Sequence, residues 1–401
     1  MRVPRAVYQL DAAIGGRLPG LRPAQRRGLT RWVSGAGLAG AAGQPAVLAA
    51  LLPLAGAHAV RQRRREWLAD GVDKAAPGRG QVDVAACFAP LRRWVVAWWP
   101  GTDRALAVDA TSLGDRVVVL AVSGLDRGSA IPVAWHVVPA QAPGEWLPHV
   151  VARLGRLAPA VPAGWTVLVL ADRGRWRPRR WGAIRAHGWH PLRRLQRQAR
   201  CRPVGRRRWR RADALVPGPG HAWVGAGHAF TGPRRRRAGP LVVAWEAEQA
   251  APWVVLADLA PTEVGPCWYG RRAWIELGFR ALKGVGWQWD KTRRTDPARV
   301  ARHWLVLAVA TLWGLAYGPR AEDAALRGVP PAHRRLAAPP PPPDHRRTLS
   351  VFARGLGGRR RQVLRQRRRW TRRWLVPDAW PRPAPALVVT RVPTPLEPLH
   401  V

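Results

Sequence analysis

The chain has 401 residues, 47% of them hydrophobic, enough apolar material for a sizeable core and too much for a disordered polymer. Lysine plus arginine number 67 against 24 aspartate plus glutamate, a net charge of +43 that requires a polyanionic partner, nucleic acid by default. The three cysteines, Cys87, Cys201 and Cys267, form no CxxC pair, which excludes a disulfide framework and a cysteine zinc site.

Lysine stands only at Lys74, Lys283 and Lys291, so the cations are almost all arginine. That preference reads as coding bias. The shortage of acids does not follow from it.

Residues 1–100 read as a helical N-terminal region suited to DNA binding. The stretch 30–54 is rich in alanine, leucine and glycine, and a basic run closes it at 61–65. A solvated helix end explains that run equally well. Apolar runs at 45–60 and 304–317 are too short to span a bilayer, and no signal peptide is evident. Both runs read as buried helices and the chain as soluble and cytoplasmic, with no membrane partner. A further helix is predicted over 82–99, ending at Pro100-Gly101.

Between 101 and 200 the texture turns to alternating strands and helices. Residues 105–109 are a short apolar run ending in Asp109, and 116–122 and 130–138 are rich in β-formers. A turn at 124–128 makes these three an antiparallel meander, with Asp115 and Asp126 in turns. A helix over 145–157 follows, closed by Pro159 and Pro162. The run 165–172 is continuously apolar and ends in Asp172, the mark of a central strand covered on both faces. A helix over 179–187 and a strand over 189–195 complete the stretch, with His187 and His190 as a surface pair.

Residues 201–262 read as a β-rich insertion, with strands at 222–224, 241–245 and 253–258 and basic runs at 206–208 and 234–237. Residues 263–320 hold a helix ending near Gly284. A second helix opens at Thr295-Asp296-Pro297, a cap followed by a first-turn proline, and runs to 317. Residues 321–401 form a linker and basic tail, with five prolines at 339–343 and dense arginine at 359–373.

Four residues in 263–320 stand out. Tyr269, Arg272, Glu276 and Lys283 sit at offsets 0, 3, 7 and 14. On one helix, at about 100° per residue, they fall within roughly 60° of each other. A phenol, two cations and a carboxylate make a poor core stripe and a good one for a metal ion and phosphates. Glu276 alone reads also as a surface carboxylate bridged to Arg272 or Arg280.

The element order is three strands, helix, strand, helix, strand, with acids ending the first and fourth strands. This is an α/β, RNase H-like arrangement, in which those two strands lie side by side and Asp109 and Asp172 project together. A later helix would bring Glu276 to them. Three carboxylates at one point repel unless cations neutralise them, and oxygen-only ligands favour Mg²⁺ or Mn²⁺, with room for two ions. Glu246 and Glu248, spaced i, i+2, are rival third carboxylates without the tyrosine and lysine context.

With Tyr269, Arg272, Glu276 and Lys283 the chain matches the Y-x2-R-x3-E-x6-K signature, and so resembles the DDE transposases of bacterial insertion sequences, the insertion sequence four family. Val108-Asp109-Ala110-Thr111-Ser112-Leu113 and Leu170-Ala171-Asp172-Arg173-Gly174 look like its two aspartate motifs. The resemblance runs from about 105 to 317. It implies an RNase H-like core with a β-strand insertion. It also implies Asp109, Asp172 and Glu276 as catalytic metal ligands and Tyr269, Arg272 and Lys283 as DNA contacts. Implied partners are the element's terminal inverted repeats and target DNA, cut and joined by a homodimer at the bacterial nucleoid. An insertion tryptophan holding a flipped base is implied too, with Trp223, Trp245 and Trp253 as candidates. A nuclease without strand transfer, or an inactive DNA-binding copy, are the alternatives.

Overall fold

The computed structural model describes residues 5–52, 66–74, 80–142, 144–171, 178–247, 249–259, 266–284, 286–319, 349–364, 375 and 388–391. The basic run at 61–65, Asp172, Glu248, the five-proline stretch and most of the basic tail lie outside them. In chain order the first elements are α1 (Arg5–Arg17), α2 (Pro23–Ala39), α3 (Gln44–Leu51), α4 (Phe88–Ala97), β1 (Asp103–Leu113), β2 (Val117–Asp126) and β3 (Ser129–Pro139). Next come α5 (Trp146–Leu157), β4 (Thr166–Ala171), α6 (Pro178–Arg185), β5 (His190–Leu195), β6 (Arg200–Pro203), β7 (Arg210–Arg211) and β8 (His221–Ala229). The last are β9 (Arg237–Trp245), β10 (Trp253–Leu256), α7 (Pro266–Gly270), α8 (Ala273–Leu282), α9 (Pro297–Leu315), α10 (Val351–Leu364) and β11 (Val388–Arg391).

The chain divides into two compact units. The first takes Met1–Thr102, Asp109–Trp165 and Trp274–Asp378; the second takes Asp103–Val108, Thr166–Ala273 and Ala379–Val401.

In the first unit the helical start is present as α1 to α3. A proline opens α2, and Gly40 closes it in the left-handed conformation at φ 66°, returning its N–H to the Ala36 carbonyl. Helix α4 begins six residues later than predicted. Ala85–Cys87 form a single 3₁₀ turn instead, and Pro90 sits in the first turn of α4, where its missing N–H costs nothing. Strands β2 and β3 pair antiparallel out to Asp126↔Ser129. Arg127 and Gly128 close the hairpin with φ of 41° and 77°, as a two-residue turn compatible with strand twist requires. Asp126, expected in a turn, therefore ends β2 and is only 1% exposed.

Helix α9 begins where its cap predicts: Asp296 accepts the Arg299 N–H at 2.6 Å, and Pro297 follows. Nearly every residue of α9 is buried. The Trp135 indole of β3 donates to the Ala301 carbonyl at 3.0 Å. Trp304 lies among the rings of Trp135, Phe279 and Trp289, at 6.1, 6.5 and 5.3 Å. These contacts, edge-on to Phe279 and Trp289 and tilted to Trp135, form the core of this unit with the apolar faces of α2, β3 and α8.

In the second unit β1 pairs parallel with β4, from Asp103↔Thr166 to Val108↔Ala171. Strand β4 pairs parallel with β5, ending at Ala171↔Arg193. Then β10, β9, β8, β6 and β7 follow β5 in order, all antiparallel, and β11 lies parallel to β8. Five of six β4 residues are buried, as a central strand demands. The insertion strands thus continue the sheet beyond β5. Strands β6 and β7 were not legible in the sequence, and β8 is three times its predicted length. Trp223, Leu241, Val243, Val254 and Leu256 pack with Trp181 and Cys201 into the core of this unit. The pattern is mixed α/β. Among the described residues no helix is long and apolar enough to cross a membrane.

Candidate active site

Asp109 does not end β1. The strand continues four residues to Leu113, past its last pair with β4. Asp109 is therefore the first β1 residue past the last β4 pair, Val108↔Ala171. It is 9% exposed, and its Oδ1 accepts the N–H of Ala110 at 2.8 Å. Asp172, the residue after Ala171, lies outside the described residues.

Glu276 is exposed in the first turn of α8, where the helix dipole favours a negative charge. The opposite face, Ile275, Gly278, Phe279 and Leu282, is buried. A Cβ on Gly278 would stand 2.7 Å from the Ala130 Cβ, so only glycine permits this approach of α8 to β3. The N–H of Lys283 still reaches the Phe279 carbonyl at 3.0 Å, so the helical path continues one residue past Leu282. Glu276 and Lys283 thus share a stripe, two turns or about 10 Å apart along the axis. Burial pulls the Lys283 ammonium below its ordinary proton affinity, and Asp290 opposes that.

The four-residue stripe does not lie on one continuous helix. Helix α7 ends at Gly270, and Arg271 and Arg272 form a turn with bonds to Trp268 and Tyr269 at 3.1 and 2.9 Å, each three residues back. Glycine disfavours helix, and this one sits where the helix stops. Tyr269 is 5% exposed. Its hydroxyl donates to the Ala171 carbonyl at 3.3 Å, and its ring meets Trp253 edge-on at 5.9 Å. Arg272 is half-buried in the turn.

Arg193, which nothing in the sequence separates from the other arginines, pairs in register with Ala171. Its guanidinium lies 4.4 Å from the Phe230 ring centroid. Burial lowers its pKa to about 9, against the pull of Tyr269. A cation and a phenol thus adjoin the residue before Asp172.

The rival Glu246 lies just past the end of β9, exposed, and takes a bond from Gln249 at 3.0 Å. It is not on a strand face. His190 pairs with Asp258 at 3.2 Å, as does Arg185 at 3.5 Å, so the expected surface histidine has a structural partner. Of the candidate tryptophans, Trp223 is in the core, Trp245 donates to the Gln249 carbonyl at 2.8 Å, and Trp253 lies under the Arg194 guanidinium at 4.3 Å. Among the described residues no group of three or more His, Cys, Asp or Glu side chains could hold a metal ion. The carboxylates in hand, Asp109 and Glu276, supply oxygen donors of the kind that suit Mg²⁺ or Mn²⁺.

Residues 141–313 match the family model described as the transposase DDE domain. The matched segment includes Asp172, Tyr269, Arg272, Glu276 and Lys283 and starts after Asp109. No curated protein matches the chain. The family match supports a DDE transposase, with DNA as its partner.

Proposed function

We propose that the chain is a DNA transposase of the insertion sequence four type. It would cut the ends of its element and join the 3′-hydroxyl to target DNA, acting as a homodimer on an RNase H-like core. The observation that carries this reading is the β1–β4 register. Its last pair is Val108↔Ala171, and in the sequence each of these two residues is followed by an aspartate, Asp109 and Asp172. The β1–β4 pairing stops at the carboxyl end of β4, and open α/β sheets collect their reactive groups at such ends.

In this reading Asp109, Asp172 and Glu276 hold one or two Mg²⁺ or Mn²⁺ ions, since three carboxylates stay ionised together only around cations. Bound there, the metal supplies a lowered proton affinity for water or hydroxyl and charge stabilisation of the phosphodiester. Arg272 grips a flanking phosphate with its planar guanidinium, and Lys283 offers a point charge. Tyr269 has its hydroxyl committed to Ala171, which supports a positioning role at the β4 end over a stacking role on DNA.

The test uses purified protein, Mg²⁺ or Mn²⁺ and DNA carrying the gene's own flanking ends, with Glu276→Gln alongside. Metal-dependent nicking and end joining, both lost in Glu276→Gln, is the expected outcome. Cutting without joining would leave a nuclease. Binding without cutting in either protein would leave an inactive copy. Cutting that survives the substitution would remove Glu276 from the site.

A further inference from the structure

We propose that the insertion carries a separate DNA-backbone site, a basic surface organised around Trp209. It binds duplex DNA through phosphates and does not read bases. The inference rests on the proposed function only in choosing DNA as the polyanion.

Trp209 lies in the loop between β6 and β7, and two guanidinium groups lie over its ring. Arg202 of β6 is 5.3 Å from the ring centroid, and Arg236, just before β9, is 5.5 Å. The negative face of one indole thus holds two like charges close together, offsetting their repulsion. A carbonyl fixes the second cation further, since Arg236 donates to Thr231 at 3.1 Å. Around this pair stand Arg206, Arg207 and Arg208 on the Trp209 loop and Arg234 and Arg235 on the β8–β9 loop, all exposed. Among the described residues no carboxylate pairs with these five. The nearby acid, Asp213, is already held by Arg211 at 2.7 and 3.0 Å.

His228 stands opposite Arg202 in the β6–β8 register. Burial first, then Arg202 and Arg236, lower its proton affinity. It therefore fills the surface as a neutral ring and adds no repulsion. Since its ring is already under two cations, Trp209 positions charge and does not stack on bases. The surface recognises backbone charge, which makes binding insensitive to sequence and steeply dependent on salt.

With so basic a chain, bulk charge must be separated from this site. The experiment measures fluorescence anisotropy of the full chain with two unrelated 30-base-pair DNA duplexes and one RNA duplex across a salt series. The site variant is Arg206→Gln/Arg207→Gln/Arg208→Gln. A charge-matched control removes the exposed Arg17, Arg93 and Arg156 of the first unit as Arg→Gln. Each phosphate contact contributes about 0.9 to the slope of log affinity against log salt. The site variant should lose about two to three from that slope and at least tenfold in affinity, equally on both DNA sequences. The control should lose less than half of that. Trp209→Leu should keep the slope, because its charge is unchanged, and still lose severalfold in affinity, while Trp209→Phe retains it.

A site variant no different from the control, or a Trp209→Leu protein equal to wild type, overturns the proposal. So does tighter binding of the RNA duplex that the site variant abolishes. A wild-type chain that binds in this way and never cuts leaves the surface standing and sinks the proposed activity. Cutting with no special loss in the site variant does the reverse.

Discussion

At the scale of single residues, Tyr269 separates what spacing can nominate from what it cannot. The motif marks it out, but a phenol satisfies equally a DNA contact and a buried strut. Burial at 5% exposure and the 3.3 Å bond to the Ala171 carbonyl favour the strut. Tyr269→Phe removes that bond and leaves the ring against Trp253. A lost neutral hydrogen bond costs about 1 kcal/mol, so the urea midpoint should fall modestly. If Tyr269 steadies the strand before Asp172, the variant should also lose turnover in metal-dependent cutting, with KM for DNA unchanged. Arg272→Gln should do the opposite and raise KM. A Tyr269→Phe protein with normal stability and weakened DNA binding would return Tyr269 to the DNA-contact role that its spacing first implied. Arg193 shows the converse. Its place beside Ala171 comes from strand register, and in a chain so rich in arginine nothing local marks it.

At the scale of elements, boundaries with a chemical stop or start were legible. Asp296-Pro297 starts α9 because a carboxylate can accept one of the free first-turn N–H groups, here that of Arg299, and proline needs no partner there. The extension of β1 past Asp109 was not legible. Thr111 and Ser112 interrupt the apolar run, yet the strand runs on through them to Leu113. The break between α7 and α8 was equally hidden, since a calculation on a regular helix assumes the very continuity that Gly270 ends. Gly278 makes a sharper case. By helix propensity alone, alanine there should stabilise α8 by about 1 kcal/mol. A methyl 2.7 Å from the Ala130 Cβ must instead push the helix from β3, and overpacking of that kind costs about 1–3 kcal/mol. Gly278→Ala should therefore lower the urea midpoint, and Gly278→Val should lower it further. A raised midpoint would mean that α8 is not held against β3 as described.

At the scale of the whole molecule, the order of elements, read as an RNase H-like arrangement, put the strands ending near Asp109 and Asp172 side by side, and β1 and β4 do pair, in parallel. Apolar runs between turns marked strands at 222–224, 241–245 and 253–258, where β8, β9 and β10 lie. The sequence did not carry the edge on which the insertion strands join, since the partner of a strand is set by long-range packing. Nor did it mark His303, an ordinary histidine in an apolar run that proves to be a buried strut. His303 is fully buried in α9 and donates from Nε2 to the Ala42 carbonyl at 2.9 Å, tying α9 to the segment before α3. Burial above all, and then Arg294, hold its pKa down to about 3. Half-buried His136 is held near 4 by burial, by Arg153 and by its stacking partner His149 at 3.7 Å. Both are neutral when folded, and both take up a proton near pH 6.5 when unfolded. Between the folded and unfolded values the unfolded chain binds more protons, so acid favours unfolding. Stability of the first unit should be level above pH 6.5 and fall as pH drops from there toward 4. The fall from His303 is on the order of a few kcal/mol, and the more solvated His136 adds less. Urea midpoints followed by tryptophan fluorescence between pH 8 and 4.5 test this. His303→Gln should be less stable at pH 8, yet flatter with pH, because an amide can donate to Ala42 and cannot be protonated in this range. A wild-type midpoint that stays level down to pH 4.5 would mean that His303 reaches water or a proton without opening the α9 core.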